Sequence, residues 1–113
     1  MTNVAFTGGQ SYDDSALVSD ILAAISKMDP NLVILVGDDK NGLDLMVREW
    51  GYSNRQIMHV YKASKLLGKG GKPARDEQMI NDAALLYAFP GGNETDRCIK
   101  LAREKGIKVV QLA

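Results

Sequence analysis

The sequence predicts a single α/β domain, residues 1–113, built on a parallel sheet of about five strands with helices on both faces. Three observations point there. Short apolar runs alternate strictly with amphipathic stretches along the whole chain. One run, Leu32–Val36 (LVILV), has no polar residue, as a strand covered on both faces requires. Glycines punctuate the ends of the runs, where strands give way to helices. Such alternation implies right-handed crossovers between parallel neighbours.

Each element follows from local pattern. Asn3–Thr7 (NVAFT), closed by Gly8 and Gly9, reads as a buried strand. Ser15 is the expected cap of a helix in which Leu17, Ile21, Ile25 and Met28, with Val18 and Leu22, share one face, and Pro30 ends that segment. Leu32–Val36 is the second strand, stopping at Gly37. Leu43–Trp50 (LDLMVREW) is amphipathic, with Gly51 as its stop. Gln56–Tyr61 reads as a third strand. KASKLLGKGGKPAR then forms a basic loop ahead of a helix over Ala74–Ala83. Leu85–Phe89 is a fourth strand, Glu94–Lys105 a helix capped by Gly106, and Lys108–Leu112 a fifth strand.

The totals exclude several function classes. A chain of 113 residues buries roughly two-thirds of its unfolded surface, enough for a core without disulfides or metal. Lys and Arg number 14 and Asp and Glu number 14, so net charge argues neither for nucleic acid nor for a membrane surface. Cys98 is the single cysteine, which rules out an internal disulfide and fits a reducing compartment. Met1–Thr7 carries no signal-peptide pattern, and no apolar stretch reaches the ~20 residues of a membrane span, so a cytoplasmic protein is expected.

In open parallel sheets, ligands bind beyond the carboxyl ends of strands, where strand order reverses. Gly8-Gly9 and Gly91-Gly92 follow the first and fourth strands and precede helices, so both pairs are expected to let a ligand approach bare backbone. Helix N-termini add unpaired N–H groups and a positive dipole end, each worth ~0.3–1 kcal/mol to an anion. Gly37 reads as a plain turn. Between Lys62 and Arg75 lie the cations Lys62, Lys65, Lys69, Lys72 and Arg75 and no acid. Lys62 and Lys65 read as solvated, whereas Lys69, Lys72 and Arg75 flank GKGGKP at a helix start. Arg75 is the sharpest phosphate candidate, since a guanidinium holds two oxygens at once. GDDKNGLD has Walker A glycine spacing, but Leu43-Asp44 stands where Lys and Ser/Thr are required, and no GxGxxG occurs, which argues against P-loop hydrolysis.

Other residues read as structural. His59 has no cysteine or second histidine near it, so no metal site is expected. Cys98 shares an apolar face with Ile99 and Ala102 and reads as a small core residue. Met46 and Trp50 pack a helix on the sheet. Tyr12, after the first glycine loop, either stacks on a ligand base or lies exposed. No cofactor is expected.

VAFTGGQSYDD, VGDDKNGLDLMVREWG, GKGGKPARDEQMI and LLYAFPGGNETDRCIKLAREKGIKVV together resemble the YspA-like branch of the SLOG superfamily. Its members are small Rossmann-like nucleotide-binding domains related to LOG phosphoribohydrolases and to the DNA-processing protein DprA. The likeness runs from Val4 to Val110. It is most specific at the PGG turn and at Arg75-Asp76 with Met79. A Gly-Ser-Arg-like first turn is implied, and here Gly8-Gly9-Gln10 lacks the arginine. Gly42 and Asp44 match the second loop's Gly-x-Asp, and Asp44 is thereby a ribose candidate. Arg75-Asp76 stands for an Arg-Asn pair. In PGGNET, Gly91, Gly92 and Thr95 match the phosphate turn and Glu94 replaces a glycine. A carboxylate there makes a second phosphate less welcome and points to a mononucleotide or ribose-bearing ligand.

The residue pattern and the resemblance together point to a binding site of Gly8, Gly9, Gln10, Asp44, Lys72, Arg75, Gly91, Gly92 and Thr95, serving to sense or sequester a nucleotide-like ligand, and the resemblance implies a homodimer or higher homo-oligomer. The catalytic glutamate of LOG enzymes falls at Arg97 and Cys98, which weighs against an enzyme. The alternative is an N-glycosidase acting on nucleoside monophosphates through Glu94 or Asp76, Asp96 being a dipole-compensating acid of the helix start. Single-stranded DNA binding ranks last, since the neutral chain has no row of aromatics for stacking bases.

Overall fold

The computed structural model describes residues 1–113. Its elements run β1 (Thr2–Thr7), α1 (Ser15–Met28), β2 (Leu32–Gly37), α2 (Leu43–Ser53), β3 (Met58–Tyr61), a 3₁₀ segment (Lys65–Gly70), α3 (Gly71–Asp82), β4 (Leu85–Ala88), α4 (Asn93–Glu104) and β5 (Lys108–Gln111). The strands form one sheet in the order β3-β2-β1-β4-β5, every pair parallel. This is the Rossmann-like α/β architecture expected from the alternation.

The sheet divides two apolar cores. Val4 and Phe6 of β1 and Leu32, Ile34 and Val36 of β2 face α1 and α2, meeting Val18, Leu22, Ile25, Leu43 and Val47. Ala5, Val33, Leu35, Leu86 and Ala88 point the other way, onto Met79 and Ile80 of α3 and Cys98, Ile99 and Ala102 of α4. Strict alternation along β1 and β2 feeds both cores, which is why β2 needs no polar residue. Met46 and Trp50 pack against the first core as expected. Cys98 is fully buried in the second, and burial pushes its thiol up to about 12.

Several boundaries differ from the sequence reading, each for a local reason. Asp14, not Ser15, caps α1: its carboxylate accepts from the Leu17 N–H at 3.1 Å. Met28 falls at the last turn of α1 and is exposed. Helix α2 runs through Gly51, which is a packing glycine and not a stop: Met58 occupies the space that a Cβ there would fill. β3 begins two residues late, at Met58, since the Gln56 N–H donates back to the Gly51 carbonyl at 2.9 Å and only its side-chain amide reaches the Leu32 carbonyl, at 2.6 Å. The basic loop is partly ordered as the 3₁₀ segment, and α3 starts at Gly71 with Pro73 in its first turn, where a missing N–H is harmless. At α4, Gly106 closes the helix with φ 74°, and Ile107 and Gly106 donate back to Ala102 and Arg103.

Candidate functional site

After β1 the chain turns to α1 on one face, and after β4 it turns to α4 on the other. Because β1 and β4 are neighbours, the two loops diverge and leave a crevice at the carboxyl edge of the sheet. Its floor is backbone. Phe89 donates to the Thr7 carbonyl at 2.8 Å, and Gly9 donates to the Pro90 carbonyl at 3.0 Å. The Gly9 carbonyl accepts from Tyr12 and from Leu43, each at 3.2 Å, so one glycine ties the loops after β1, β2 and β4 together.

The glycines here serve the protein's own packing first. A Cβ on Gly8 would lie 2.7 Å from Leu43, and one on Gly9 would lie 3.1 Å from the Gly91 Cα. A Cβ on Gly91 would meet Thr95 Oγ1 at 2.1 Å and the Gly9 nitrogen at 2.7 Å. Gly42, with φ 75°, faces the Gly9 oxygen so closely that a Cβ would come within 2.2 Å of it. Gly92 is the exception: nothing stands within 4 Å of the position of a Cβ. It caps α4 without a side-chain hydrogen bond, and the first main-chain bond of that helix is Asp96 N–H to Gly92 O. The amides of Asn93, Glu94 and Thr95 therefore point out of the helix end.

The opposite wall is ionic. Arg75, 5 % exposed, reaches from α3 across the end of β2. Its Nη1 donates to Asp38 at 2.9 Å and Asp39 at 3.2 Å, while Nε and Nη2 each lie 3.0 Å from Asp76 Oδ1. Gly37 makes this possible, since a Cβ there would sit 3.0 Å from the guanidinium carbon and 2.7 Å from Asp44 Oδ2. So Gly37 is more than a turn residue. Arg75 lies in the crevice as expected, but its bidentate grip is spent on carboxylates and is not open to a phosphate. Asp76, buried, has its other oxygen on Arg97 at 3.0 Å, and Arg97 Nε is buried without a partner. Arg48 fixes the β2–α2 loop by donating to the carbonyls of Gly37 and Asp39, both at 2.8 Å.

Two carboxylates of that loop are shifted in opposite directions. Burial, then the charge of Asp39, push the buried Asp44 up to about 7, although Arg75 and the Asp39 N–H at 3.2 Å oppose the shift. Burial also raises Asp38, but the Arg75 hydrogen bond and the Ala63 N–H outweigh it and hold Asp38 below its ordinary value. Arg75 loses some preference for charge through burial and regains more from Asp76, Asp38 and Asp39, so its guanidinium is held charged even more firmly than usual.

The remaining candidates surround this wall. Lys72 bridges Asp39 at 3.2 Å and Glu94 at 3.8 Å. Thr95 is buried under the PGG turn. Gln10, exposed, stands between two open recesses. One, about 400 Å³, runs along Gly9–Asp13 and Pro90–Gly92. The other, about 350 Å³, is walled by Asp38, Asp39, Lys40, Asn41, Lys65 and Lys72. Asp44 lines a narrower pore, with Asp39, Arg75, Asp76 and Glu94, that admits a single water-sized body. Lys62 and Lys69 are exposed, and Tyr12 packs edge-on against Phe89 with ring centres 5.4 Å apart. His59 stacks on Tyr61 at the β3 edge, away from the crevice. Asp38, Asp39, Arg48 and Lys40 are the parts that sequence reading missed. GDDK between a buried strand and a helix is the signal that could have found them.

The YAcAr family, described as the YspA, cpYpsA-related SLOG family, matches residues 2–65. The chain belongs to this family. The SLOG match covers β1 through β3, including the Gly8-Gly9 turn and the GDDKNGLD loop. Arg75 and the PGG turn lie outside the matched stretch. No curated protein and no solved structure matches the chain.

Proposed function

We propose that this SLOG domain binds a small nucleotide or nucleotide-derived ligand at the carboxyl edge of its sheet and serves to sense or sequester it. The observation that carries the reading is the uncapped N-terminus of α4, which opens beside Gly92 at the β1/β4 switch point, between recesses large enough for a mononucleotide. A phosphoryl group would accept from the Asn93, Glu94 and Thr95 amides, with Lys72 as the mobile cation. Gly8, Gly9 and Gly91 let the loops close up beneath it. Ribose hydroxyls would meet Asp39 and Gln10, with Asp44 behind them. Arg75 acts indirectly, by fixing Asp38, Asp39 and Asp76. Family membership supports a nucleotide-related ligand.

The test uses Gly92→Asp. A carboxylate at this N-cap accepts from the same amides and, relative to glycine, stabilises the helix by roughly a few tenths of a kcal/mol. The variant should melt higher than the wild type and should lose the thermal stabilisation that a panel of nucleoside 5′-phosphates confers on it. A wild type that no nucleotide stabilises, or a variant that responds equally, sinks the reading.

For the N-glycosidase alternative, Asp76 is a poor base, since Arg75 and Arg97 occupy both its oxygens. Glu94 is then the acid left to do the chemistry, and release of free base from nucleoside monophosphates is its assay.

A further inference from the structure

Lys72 differs from the arginines of the crevice. Arg75 is 4 % exposed and locked among buried carboxylates, Arg97 is tied to Asp76, and Arg48 to main-chain carbonyls. The Lys72 side chain is 38 % exposed, and its partner Glu94 is 44 % exposed. Their contact spans the mouth of the crevice, from the first turn of α3 to the first turn of α4, and at 3.8 Å it is the longest ion pair of the site. An exposed pair of this length holds weakly and exchanges readily. Breaking it leaves Lys72 on Asp39 and lets Glu94 turn to water.

We infer that Glu94 is a built-in competitor, its carboxylate holding on Lys72 the place that a ligand's anionic group takes. The competition sets how much charge the ligand carries, an inference that rests on the nucleotide-binding reading above. One phosphoryl group displaces Glu94 and gains Lys72. A second, adjacent group gains nothing from the guanidinium beside it, which is already matched by Asp38, Asp39 and Asp76, and it meets the displaced carboxylate instead. The site therefore takes a monophosphate ester in preference to a diphosphate or triphosphate.

Titration calorimetry with the 5′-mono-, di- and triphosphates of the common nucleosides, on wild type, Glu94→Gln and Lys72→Met, tests this. Both side chains are partly exposed, and melting curves check that the variants fold. In the wild type the best monophosphate should bind about tenfold more tightly than its diphosphate, a difference of ~1.4 kcal/mol. Glu94→Gln should tighten all phosphates and erase that ratio, whereas Lys72→Met should weaken the monophosphate about tenfold. A wild type that favours the diphosphate, or a ratio that survives Glu94→Gln, overturns the competitor and leaves the nucleotide-binding reading standing. If no phosphate ester binds the wild type, both fall together.

Discussion

At Arg55 the chain leaves α2 with φ 51°, and Gln56 and Arg55 donate back to the carbonyls of Gly51 and Tyr52. This is the same closure that Gly106 gives α4. A side chain in this left-handed conformation costs ~1–2 kcal/mol, part of which a glycine returns as unfolded-state entropy. Arg55→Gly should therefore raise stability by about 0.5–1 kcal/mol, read as an upward shift of a few degrees in a circular dichroism melt. The contrast explains what could be read at this scale. Gly106 announces a helix end, because glycine is the residue such an end favours. Arg55 carries no such mark, and in the sequence Gly51 imitates the stop of α2 although it is there to admit Met58. Likewise, the paired glycines signalled that something comes close to the backbone. That the closest neighbours are one another could not be told before the loops were brought together.

Among the elements, the β2–α2 turn has the clearest electrical consequence. Asp44 titrates near 7 in the folded chain, above the ordinary carboxylate value of ~3.9. Between those values the folded protein holds a proton that the unfolded chain has released, so stability falls as pH rises from about 4 to about 7 and stays reduced above. Asp38 acts with the opposite sign: its contribution is present above the ordinary carboxylate value and is lost as pH falls below it, outside this window. Asp44→Asn keeps an acceptor for the Asp39 N–H and removes the charge. The variant should flatten the melting temperature between pH 4 and 7 and out-melt the wild type at pH 8; an unchanged slope would show that Asp44 does not carry it. Only part of this was visible in the sequence. The pattern of apolar runs and turn residues located the five strands and four α-helices, because burial imposes the period directly, and missed only the 3₁₀ segment. The ionic wall was not visible, since its members come from β2, α2, α3 and α4, and only the sheet order brings them together.

At the scale of the molecule, Arg75 is the joint between the halves of the chain. It comes from α3, in the second half, and neutralises carboxylates at the end of β2, in the first. Removing one partner of a buried ionic group typically costs ~3–5 kcal/mol, because the charges left behind have neither water nor a counter-ion. Arg75→Met should thus lower the urea midpoint severely whether or not ligand is present, which disqualifies it as a binding control and is why Gly92→Asp is preferred. An unfolding free energy within ~0.5 kcal/mol of the wild type would remove Arg75 from this role.

The strand order bears also on how the chain is made. β1 is translated before the other strands and ends in the middle of the sheet, yet its second neighbour, β4, lies at Leu85–Ala88, beyond β2, β3 and α3. A nascent chain that has reached only residue 65 can pair β1 with β2 and β2 with β3, while the other edge of β1 stands bare, with the apolar faces of Ala5, Val33 and Leu35 uncovered. Such an edge invites adhesion to a second chain. The stage before β4 emerges is accordingly the one at which this edge is most open to misassociation.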